Sequence, residues 1–432
     1  QLPADEDMDA SLTRRVLGQR GPRVWVVALF VAAAVLFVTH WLPCAREYFA
    51  VPQPVQSGQM RPQYDLWQYY AAGTNWRLGD DPYAPSPERP GTIPIPRSTL
   101  TSGYIYPPFA LPALALLSRL SYDRARVVWL CLSLAGLMCP LVLGVSMAHG
   151  RRWETAAVGA LLLTAADPVL FHIRQGQIDM IVAGLAVSAF LLYGRLRCWP
   201  SAALFAVAIA LKLTPVVLMF ALVAYHRDWR LLAKSALMGL TLLAVSLVVV
   251  SPALYIEYVT SVLPAASEGN PFFHNQSLLR GWSHLGSWAK FASLGGYALV
   301  VAAAGVAGRA ARTATASPGR LRLTPDGTQL LMLSVAGVLL FSPLSWRMAF
   351  VWAIVPLAIV IVGVPWCGAR RDHALLILGA VLICLPVWDA PILDSLETIG
   401  ALLAGAGALS ALLRPRRWDG RVAQRRLSTQ SA

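Results

Sequence analysis

Residues 22–42 read PRVWVVALFVAAAVLFVTHWL, with Arg23 and His40 as the only side chains that could carry a charge. An apolar stretch of about 20 residues is the length that an α-helix needs to cross a bilayer. Similar runs recur as far as residue 413, and only 13% of the 432 residues are charged, against roughly 25% in soluble proteins. The sequence therefore predicts an all-α integral membrane protein, a polytopic bundle forming one domain over residues 1–432.

The net charge of +14 is spread along the chain in short arginine clusters between the apolar runs. Cytoplasmic loops of membrane proteins are enriched in basic residues in this way. We therefore attribute the charge to topology and to contact with membrane lipids, and predict no nucleic-acid partner. Placing each interhelical arginine cluster inside gives about twelve membrane segments, two cytoplasmic termini and a basic cytoplasmic tail at 414–432. The sequence makes no prediction of an oligomeric state.

Two stretches differ from simple membrane-spanning helices. Residues 43–125 are too polar and proline-rich to cross, and we predict a long first extracytoplasmic loop with interfacial helices at about 65–78 and 107–120. The apolar stretch 200–225 has basic residues on both sides and reads KLTP at 212–215. Because proline breaks helices, we predict two half-helices that keep both basic flanks inside. Other spans are predicted at about 22–42, 127–148, 155–171, 179–193, 231–251, 328–341, 374–387 and 398–413, with an outer connection at 252–287. Two further spans are predicted, one that follows this connection and runs to about 308 and one that returns to the inner side at Arg370.

No metal or cofactor site is predicted. The six cysteines are scattered, without the spacing of metal ligands or of a disulfide framework. Nucleotide-binding patterns such as G-x-G-x-x-G and the Walker loop are absent from the sequence. An activated substrate would therefore bind without a cytoplasmic nucleotide site.

Residues 64–70 read YDLWQYY and place one carboxylate, Asp65, among aromatic rings after the first apolar run. A carboxylate at the membrane edge can act as the general base that removes a proton from a sugar hydroxyl. The alternative is an acid favoured by the dipole of a helix N-terminus, within an interfacial aromatic belt. Ionisable residues at the membrane edge favour the functional interpretation.

The predicted topology brings further polar side chains to the same outer face as Asp65. Cationic side chains there are candidates for binding a phosphate, with snorkelling or a structural ion pair as the alternative: Lys212, Arg174, Arg280 and Arg347. Amide, hydroxyl and ring side chains are candidates for binding a sugar or an acceptor, with structural contacts or a solvated loop as the alternative: Tyr69, Tyr106, Gln177, His274, Asn275, Gln276 and Trp346.

Seven short motifs follow one another between about residues 60 and 350. They are YDLWQYY at 64–70, LGDDPY at 78–83, YPP at 106–108, QGQID at 175–179, LKLTP at 211–215, NQSL at 275–278 and SPLSW at 342–346. Their order and spacing resemble glycosyltransferase family 87, the bacterial polyprenol-phosphate-mannose-dependent α-1,2-mannosyltransferases of the GT-C superfamily. The resemblance covers most of the chain.

The resemblance implies an inverting glycosyltransferase with a GT-C-type bundle, acting on the periplasmic, outer face of the bacterial plasma membrane. Asp65 matches the position of the family's catalytic acid, which deprotonates the acceptor hydroxyl. The implied donor is a polyprenyl-phosphate sugar, with mannose as the first choice, and the implied acceptor is a glycolipid or lipoglycan. No nucleotide, metal or cofactor is implied.

One departure from the family pattern keeps the donor sugar open. Mannose-using relatives commonly carry histidines after the SPLSW motif, where this chain has Arg347 and Met348. Polyprenyl-phosphate arabinofuranose or another sugar is therefore an alternative donor, with Arg347 as a hypothetical phosphate contact. A lipid-linked sugar transporter or flippase is the alternative from another class. The long first loop favours the enzyme, since transporters usually have short loops and internal repeats.

Overall fold

A computed structural model describes residues 24–49, 64–83, 104–148, 151–196, 198–267, 275–279, 287–314, 325–363, 370–385 and 395–414. These residues are mostly helical, and the β-pairing among them is an isolated antiparallel bridge between Asn275 and Trp346. Within this part of the chain, five helices are long and apolar enough to cross a membrane, or six if one bent pair counts as a span. The all-α membrane class is thus confirmed, and the count of twelve segments stays a prediction.

The described helices are numbered here in chain order. Their bounds are α1 Val24–Phe49, α2 Tyr64–Leu78, α3 Leu111–Leu117, α4 Tyr122–Met147, α5 Arg152–Ala165, α6 Asp167–Gln175, α7 Asp179–Leu196, α8 Cys198–Leu211, α9 Val216–His226, α10 Trp229–Leu247, α11 252–267, α12 Ser287–Ala314, α13 Pro325–Phe341, α14 Val351–Gly363, α15 Arg370–Cys384 and α16 Leu396–Leu413. Short 3₁₀ turns at Pro108–Ala110 and Arg347–Phe350 precede α3 and α14.

Burial separates the helices that face lipid from the one at the centre. α1 exposes Val24, Val31 and Val35, and α10 exposes Leu240 and Val245. By contrast, α14 is buried on nearly every side and contacts α5, α7 and α13. A helix that is apolar all round belongs in the interior of a bundle, so α14 forms the core against which the others pack.

α1 runs to Phe49, beyond the predicted end at Leu42. Its last two turns are held by tertiary contacts, because Cys44 and Tyr48 are buried and the Tyr48 hydroxyl donates to the carbonyl oxygen of Arg126 at 2.7 Å. Packing against α4 therefore stabilises a polar helical end that propensity and hydropathy do not predict. Within the predicted first loop, α2 and α3 lie at the two positions where helices were expected.

Two breaks divide helices in the apolar part of the chain. The span predicted at 155–171 is not one straight helix, because α5 and α6 occupy it with a bend of 57° between them. Pro168 in the first turn of α6 lacks the backbone donor that a continuous helix would need. The predicted break at 212–215 is confirmed, since α8 ends at Leu211 and α9 begins at Val216. α8 packs on α7 and α10, whereas α9 packs on α12 and α13.

Two glycines let α4 and α7 cross at close range. A Cβ atom on Gly136 would lie 2.5 Å from the carbonyl oxygen of Met180, and one on Gly184 would overlap the backbone of Gly136. Any larger residue at either position would push the helices apart. The crossing holds the first turn of α7, which carries Asp179, against α4.

Candidate active site

A cavity of about 570 Å³ lies between α2, the α6–α7 turn, the break at 212–215, α11, α12 and the segment 342–348. α11 belongs to the stretch 252–287, for which only a connection was predicted. Apolar side chains make up most of the lining. The predicted site residues that line the cavity are Asp65, Tyr106, Gln177, Lys212 and Trp346.

Asp65 lies in the first turn of α2, where the helix dipole favours a carboxylate. Its Oδ2 accepts a hydrogen bond from Nε2 of Gln177 at 3.1 Å, and among the described residues no group hydrogen-bonds to Oδ1. Burial, followed by the nearby Asp179 carboxylate, raises the pKa of the Asp65 carboxyl to about 7, against the lowering effects of Lys212 and Gln177. A base with a pKa near neutrality suits the removal of a proton from a hydroxyl.

The turn between α6 and α7 packs directly on the first turn of α2. Gly176 ends α6 in the left-handed conformation, with φ +68°, which glycine adopts without strain. A Cβ atom there would lie 2.6 Å from Cβ of Leu66. The glycine therefore lets the turn approach α2 beside Asp65, and brings the next residue, Gln177, within reach of the carboxylate.

The amide of Gln177 joins several polar side chains around the base. Its Oε1 accepts hydrogen bonds from the hydroxyls of Tyr69 and Tyr106 and from the backbone N–H of Ile178 at 2.9 Å. Its Nε2 donates to Asp65. Gln177, Tyr69 and Tyr106 are all buried, and Tyr69 lies behind the residues that line the cavity. Three side chains predicted to bind sugar thus form one network with the predicted base.

Lys212 lies at the break between α8 and α9 and lines the cavity. Its Nζ lies 2.8 and 3.0 Å from the two carboxylate oxygens of Asp179, and Trp352 donates its Nε1–H to the same carboxylate at 3.0 Å. The ring centroid of Tyr106 lies 6.0 Å from Nζ. The site therefore has a cation at its wall that is held by a buried acid and lies close to the network around Asp65.

Arg347 is buried but does not line the cavity, although its neighbours Trp346 and Met348 do. Its guanidinium pairs with Asp167 and, at 3.0 Å, with Glu397. This ion network joins α6, the 3₁₀ turn before α14, and α16. The contact of Arg347 with a donor phosphate stays a prediction.

The other predicted cationic residues lie elsewhere. Arg174 pairs with Glu47 at 3.2 Å on the surface, where both side chains are partly exposed, and it does not line the cavity. Arg280 and His274 lie outside the described residues. Of the predicted phosphate ligands that the structure describes, Lys212 is the one it brings to the cavity.

The NQSL and SPLSW motifs are joined to each other. Asn275 donates from Nδ2 to the carbonyl oxygen of Pro343 at 2.9 Å and accepts at Oδ1 from the backbone N–H of Ser345 at 3.0 Å. The backbone N–H of Gln276 donates to the carbonyl oxygen of Ser345 at 2.7 Å. Both residues are buried. These bonds hold the wall that carries Trp346, and a direct contact of Asn275 or Gln276 with sugar stays a prediction.

α12 contributes a polar face to the cavity that was not predicted from the sequence. Lys290, Ser293 and Tyr297 line the cavity, and their spacing places them on one side of the helix. That spacing in an apolar segment is the signal that could have identified them, together with the rarity of lysine, which occurs three times in the chain. Gln68 and Gln175 also line the cavity, and both lie within motifs quoted above.

Within the described ranges, no group of three or more histidine, cysteine, aspartate or glutamate side chains could hold a metal ion. The cysteines described there are free. The expectations of no metal and no cofactor stay predictions.

Comparison with known proteins gives two matches. A family model described as glycosyltransferase family 87 matches residues 104–343, more than half of the chain. The chain is also 30% identical over 296 residues to a polyprenol-phosphate-mannose-dependent alpha-(1-2)-phosphatidylinositol pentamannoside mannosyltransferase of Mycobacterium tuberculosis. This match covers 67% of the chain and 64% of the relative, so it spans less than two thirds of the relative's length. No solved structure matches the chain.

Proposed function

Since this chain belongs to glycosyltransferase family 87, we propose that it transfers a sugar from a polyprenyl-phosphate donor to a hydroxyl of a glycolipid or lipoglycan. One observation carries the proposal: Asp65 lines a largely apolar cavity that two lysines also line. The family match begins after Asp65, so the assignment of the base rests on this geometry and on the sequence motif.

The proposed reaction needs one base and electrostatic help for one leaving group. Asp65 takes the proton of the acceptor hydroxyl, and the acceptor oxygen bonds to the anomeric carbon of the donor sugar. The bond from that carbon to the phosphate oxygen breaks, and polyprenyl phosphate leaves with the electron pair. Attack opposite the leaving group inverts the anomeric configuration. Lys212 and Lys290 supply positive charge for the departing phosphate.

The lining of the cavity supports a lipid-linked donor. Leu263 and Ala266 of α11 and Leu294 of α12 belong to its apolar wall, which fits a polyprenyl chain. Mannose is the first choice of sugar, because the relative from Mycobacterium tuberculosis is named as polyprenol-phosphate-mannose-dependent. By the same comparison, a phosphatidylinositol mannoside is the first choice of acceptor.

The arginine distribution supports a reaction on the outer face of the bacterial plasma membrane. With every interhelical arginine cluster inside, the chain forms about twelve membrane segments with both termini in the cytoplasm. In this topology α8 and α9 are the two halves of a re-entrant pair. Lys212 at their break and Asp65 in the first outer loop then meet on the outer side.

The test compares the wild type with Asp65→Asn in nanodiscs, each incubated with radiolabelled polyprenyl-phosphate mannose and a membrane-lipid extract. We expect labelled lipid from the wild type and a loss of about 10²–10⁴-fold in the variant, the usual contribution of a general base. Asp80→Asn is the matched control, because Asp80 is exposed beyond the end of the same helix.

Each other outcome has a defined meaning. Transfer from a polyprenyl-phosphate pentose, but not from the mannose donor, would keep the reaction and change the sugar. No transfer from any lipid-phosphate sugar, combined with movement of labelled donor between leaflets, would replace the enzyme by a transporter. Full activity in Asp65→Asn would show that Asp65 is not the base of the reaction.

A further inference from the structure

The orientation of the Gln177 amide is determined by the groups around it. A backbone N–H can only donate, so the amide atom 2.9 Å from the nitrogen of Ile178 must be the carbonyl oxygen. The hydroxyls of Tyr69 and Tyr106 reach the same oxygen. The NH₂ group therefore faces Asp65, whose Oδ2 lies 3.1 Å away. A flipped amide would set its oxygen against the carboxylate and its NH₂ against a backbone donor.

This arrangement makes the two oxygens of Asp65 different. Oδ2 accepts a hydrogen bond from the Gln177 amide, whereas none of the described residues hydrogen-bonds to Oδ1. The Asp65 side chain lines the cavity. An amide NH₂ can donate but cannot accept, so a proton that arrives at Asp65 is accommodated on Oδ1.

We propose that Gln177 is the positioning residue of this site: its amide, oriented by Tyr69, Tyr106 and Ile178, holds Oδ2 of Asp65 so that Oδ1 receives the proton of the acceptor hydroxyl. This inference rests on the proposed function, and it replaces the sugar contact predicted for Gln177 by a role exerted through the base. Tyr69 and Tyr106 act one step further away, through the amide oxygen.

The bond from Gln177 also bears on the protonation of Asp65. A donor that bonds the charged form of an acid stabilises that form, and here the Gln177 amide opposes the effect of burial and lowers the pKa of the Asp65 carboxyl. Losing the donor therefore moves the acidic limb of the activity profile to higher pH.

Two substitutions at position 177 test the inference. Gln177→Leu removes the donor, and Gln177→Glu keeps an oxygen for the tyrosines but sets a second carboxylate beside Asp65. We expect kcat at neutral pH to fall by about tenfold or more in both. We expect the acidic limb to rise by about one pH unit in Gln177→Leu and further in Gln177→Glu, since adjacent carboxylates share a proton. The KM for the donor is expected to stay within about threefold of the wild-type value.

A second set of variants keeps the test valid if the position-177 variants fold poorly. The double variant Tyr69→Phe with Tyr106→Phe releases the amide oxygen and is expected to lower kcat and raise the acidic limb in the same direction. Tyr70→Phe is the matched control on the same helix, since its hydroxyl donates to the carbonyl oxygen of Leu120 at 2.8 Å, away from Gln177.

The readouts separate this inference from the proposed function. The infrared band of the protonated carboxyl, assigned by its loss in Asp65→Asn, follows the titration of Asp65 without turnover. A shift of that titration in Gln177→Leu supports the contact even if the wild type transfers no sugar, in which case the proposed function alone fails. Transfer by the wild type with an unshifted titration and an unshifted pH profile in Gln177→Leu would overturn the inference.

Discussion

Asp65 and Asp179 lie near each other in very different surroundings. Asp179 is paired with Lys212 and bonded by Trp352, so its charge has a direct counter-ion. Asp65 has the neutral amide of Gln177 as its hydrogen-bond donor. Two nearby acids in unequal environments can divide their roles: Asp179 pairs with the cation, and under the proposed function Asp65 is the acid that exchanges a proton.

The first prediction concerns pH. The proposed base is active as the carboxylate, and the pKa of Asp65 is raised to about 7. We therefore expect kcat/KM to be level above this pH and to fall by about tenfold per unit below it. Measuring kcat/KM from about pH 5 to about pH 9 tests this decline at acidic pH. A constant kcat/KM over that range would contradict the assignment of Asp65 as the base.

Thermal stability over the same pH range is the control for that profile. A carboxyl whose pKa is higher in the folded protein than in the unfolded chain binds its proton more tightly when folded. Protonation of Asp65 therefore adds stability as pH falls, and this contribution is lost as pH rises through about 7. We therefore expect protonation of Asp65 to lower the activity at acidic pH without lowering the Tm.

The second prediction concerns Lys290. Lysine is rare in this chain, and Lys290 lines the cavity together with Lys212. We expect Lys290→Ala to raise the KM for the polyprenyl-phosphate donor by about 10–100-fold, the usual effect of losing a charge-assisted hydrogen bond, with a smaller effect in Lys290→Arg. Lys234→Ala is the matched control, because Lys234 lies over the ring of Trp199 at 4.8 Å and does not line the cavity. Equal KM values in the two alanine variants would contradict the role.

At the residue scale, the sequence predicted which residues lie together at the cavity better than it predicted which side chains each of them contacts. The motifs contain Asp65, Gln177 and Lys212, and the structure brings these together. Chemistry alone could not show that Arg347 pairs with Asp167 and the buried Glu397, because both acids are distant in sequence. Lys290 was missed because it begins an apolar span, where a lone cation is usually attributed to snorkelling.

At the scale of elements, the α6–α7 turn decides how close Gln177 comes to Asp65. The turn is compact because Gly176 adopts a left-handed conformation against Leu66. Any residue with a Cβ atom must therefore either distort the turn or move it away from α2. The network around Asp65 thus depends on a residue that has no polar side chain.

The third prediction compares two glycines with positive φ. Gly176→Ala introduces both strain and an overlap with Leu66, whereas Gly79→Ala introduces strain alone, since no atom lies within 4 Å of a Cβ atom at Gly79. We expect Gly79→Ala to cost about 1–2 kcal/mol and to keep its activity. Gly176→Ala is expected to cost about 1–3 kcal/mol more and to lower kcat. Thermal unfolding and transfer assays on both variants measure the difference, and equal behaviour would contradict the packing argument.

One helix break was predicted from the sequence, and another was missed. The break at 212–215 carries a lysine and a proline in an apolar stretch, and the structure has it there. The bend before Pro168 lies within a run that hydropathy joins into one helix, although proline was the available signal. The extension of α1 to Phe49 depends on the long-range contact of Tyr48 with α4, which a local pattern does not contain.

At the scale of the whole molecule, the network of Arg347, Asp167 and Glu397 ties three distant parts of the chain together. Our fourth prediction is that Arg347→Ala lowers the free energy of unfolding by about 3–5 kcal/mol, because it removes the cation paired with the buried Glu397 and the partly buried Asp167. The triple variant Arg347→Met, Asp167→Asn and Glu397→Gln is expected to recover most of that loss. Thermal unfolding in detergent compares them.

The same triple variant tests the predicted phosphate contact of Arg347. If the variant folds and its KM for the donor equals that of the wild type, Arg347 is a structural residue alone. If the KM for the donor rises by about tenfold or more, Arg347 also contributes to phosphate binding. Failure of the triple variant to regain stability would contradict the ion-pair argument instead.

The membrane class of the molecule was evident from composition, whereas the number of spans was not. Five described helices are long enough to cross alone, but several others have only 10–17 residues. Helices of that length can cross in pairs, lie in the interface or turn back within the membrane. The distribution of arginines indicates which of these arrangements applies, and this indication comes from all the loops of the chain rather than from any one helix.

Water is also a nucleophile, and the lining of the cavity affects how often it competes with the acceptor. Walls made mostly of apolar side chains offer water few hydrogen-bond partners. Under the proposed function, we therefore expect the acceptor to deliver the hydroxyl that reaches Asp65 and the hydrolysis of the donor to be slow. On this proposal, protein loaded with donor keeps its activated sugar until an acceptor binds, so a membrane short of acceptor loses little of that sugar.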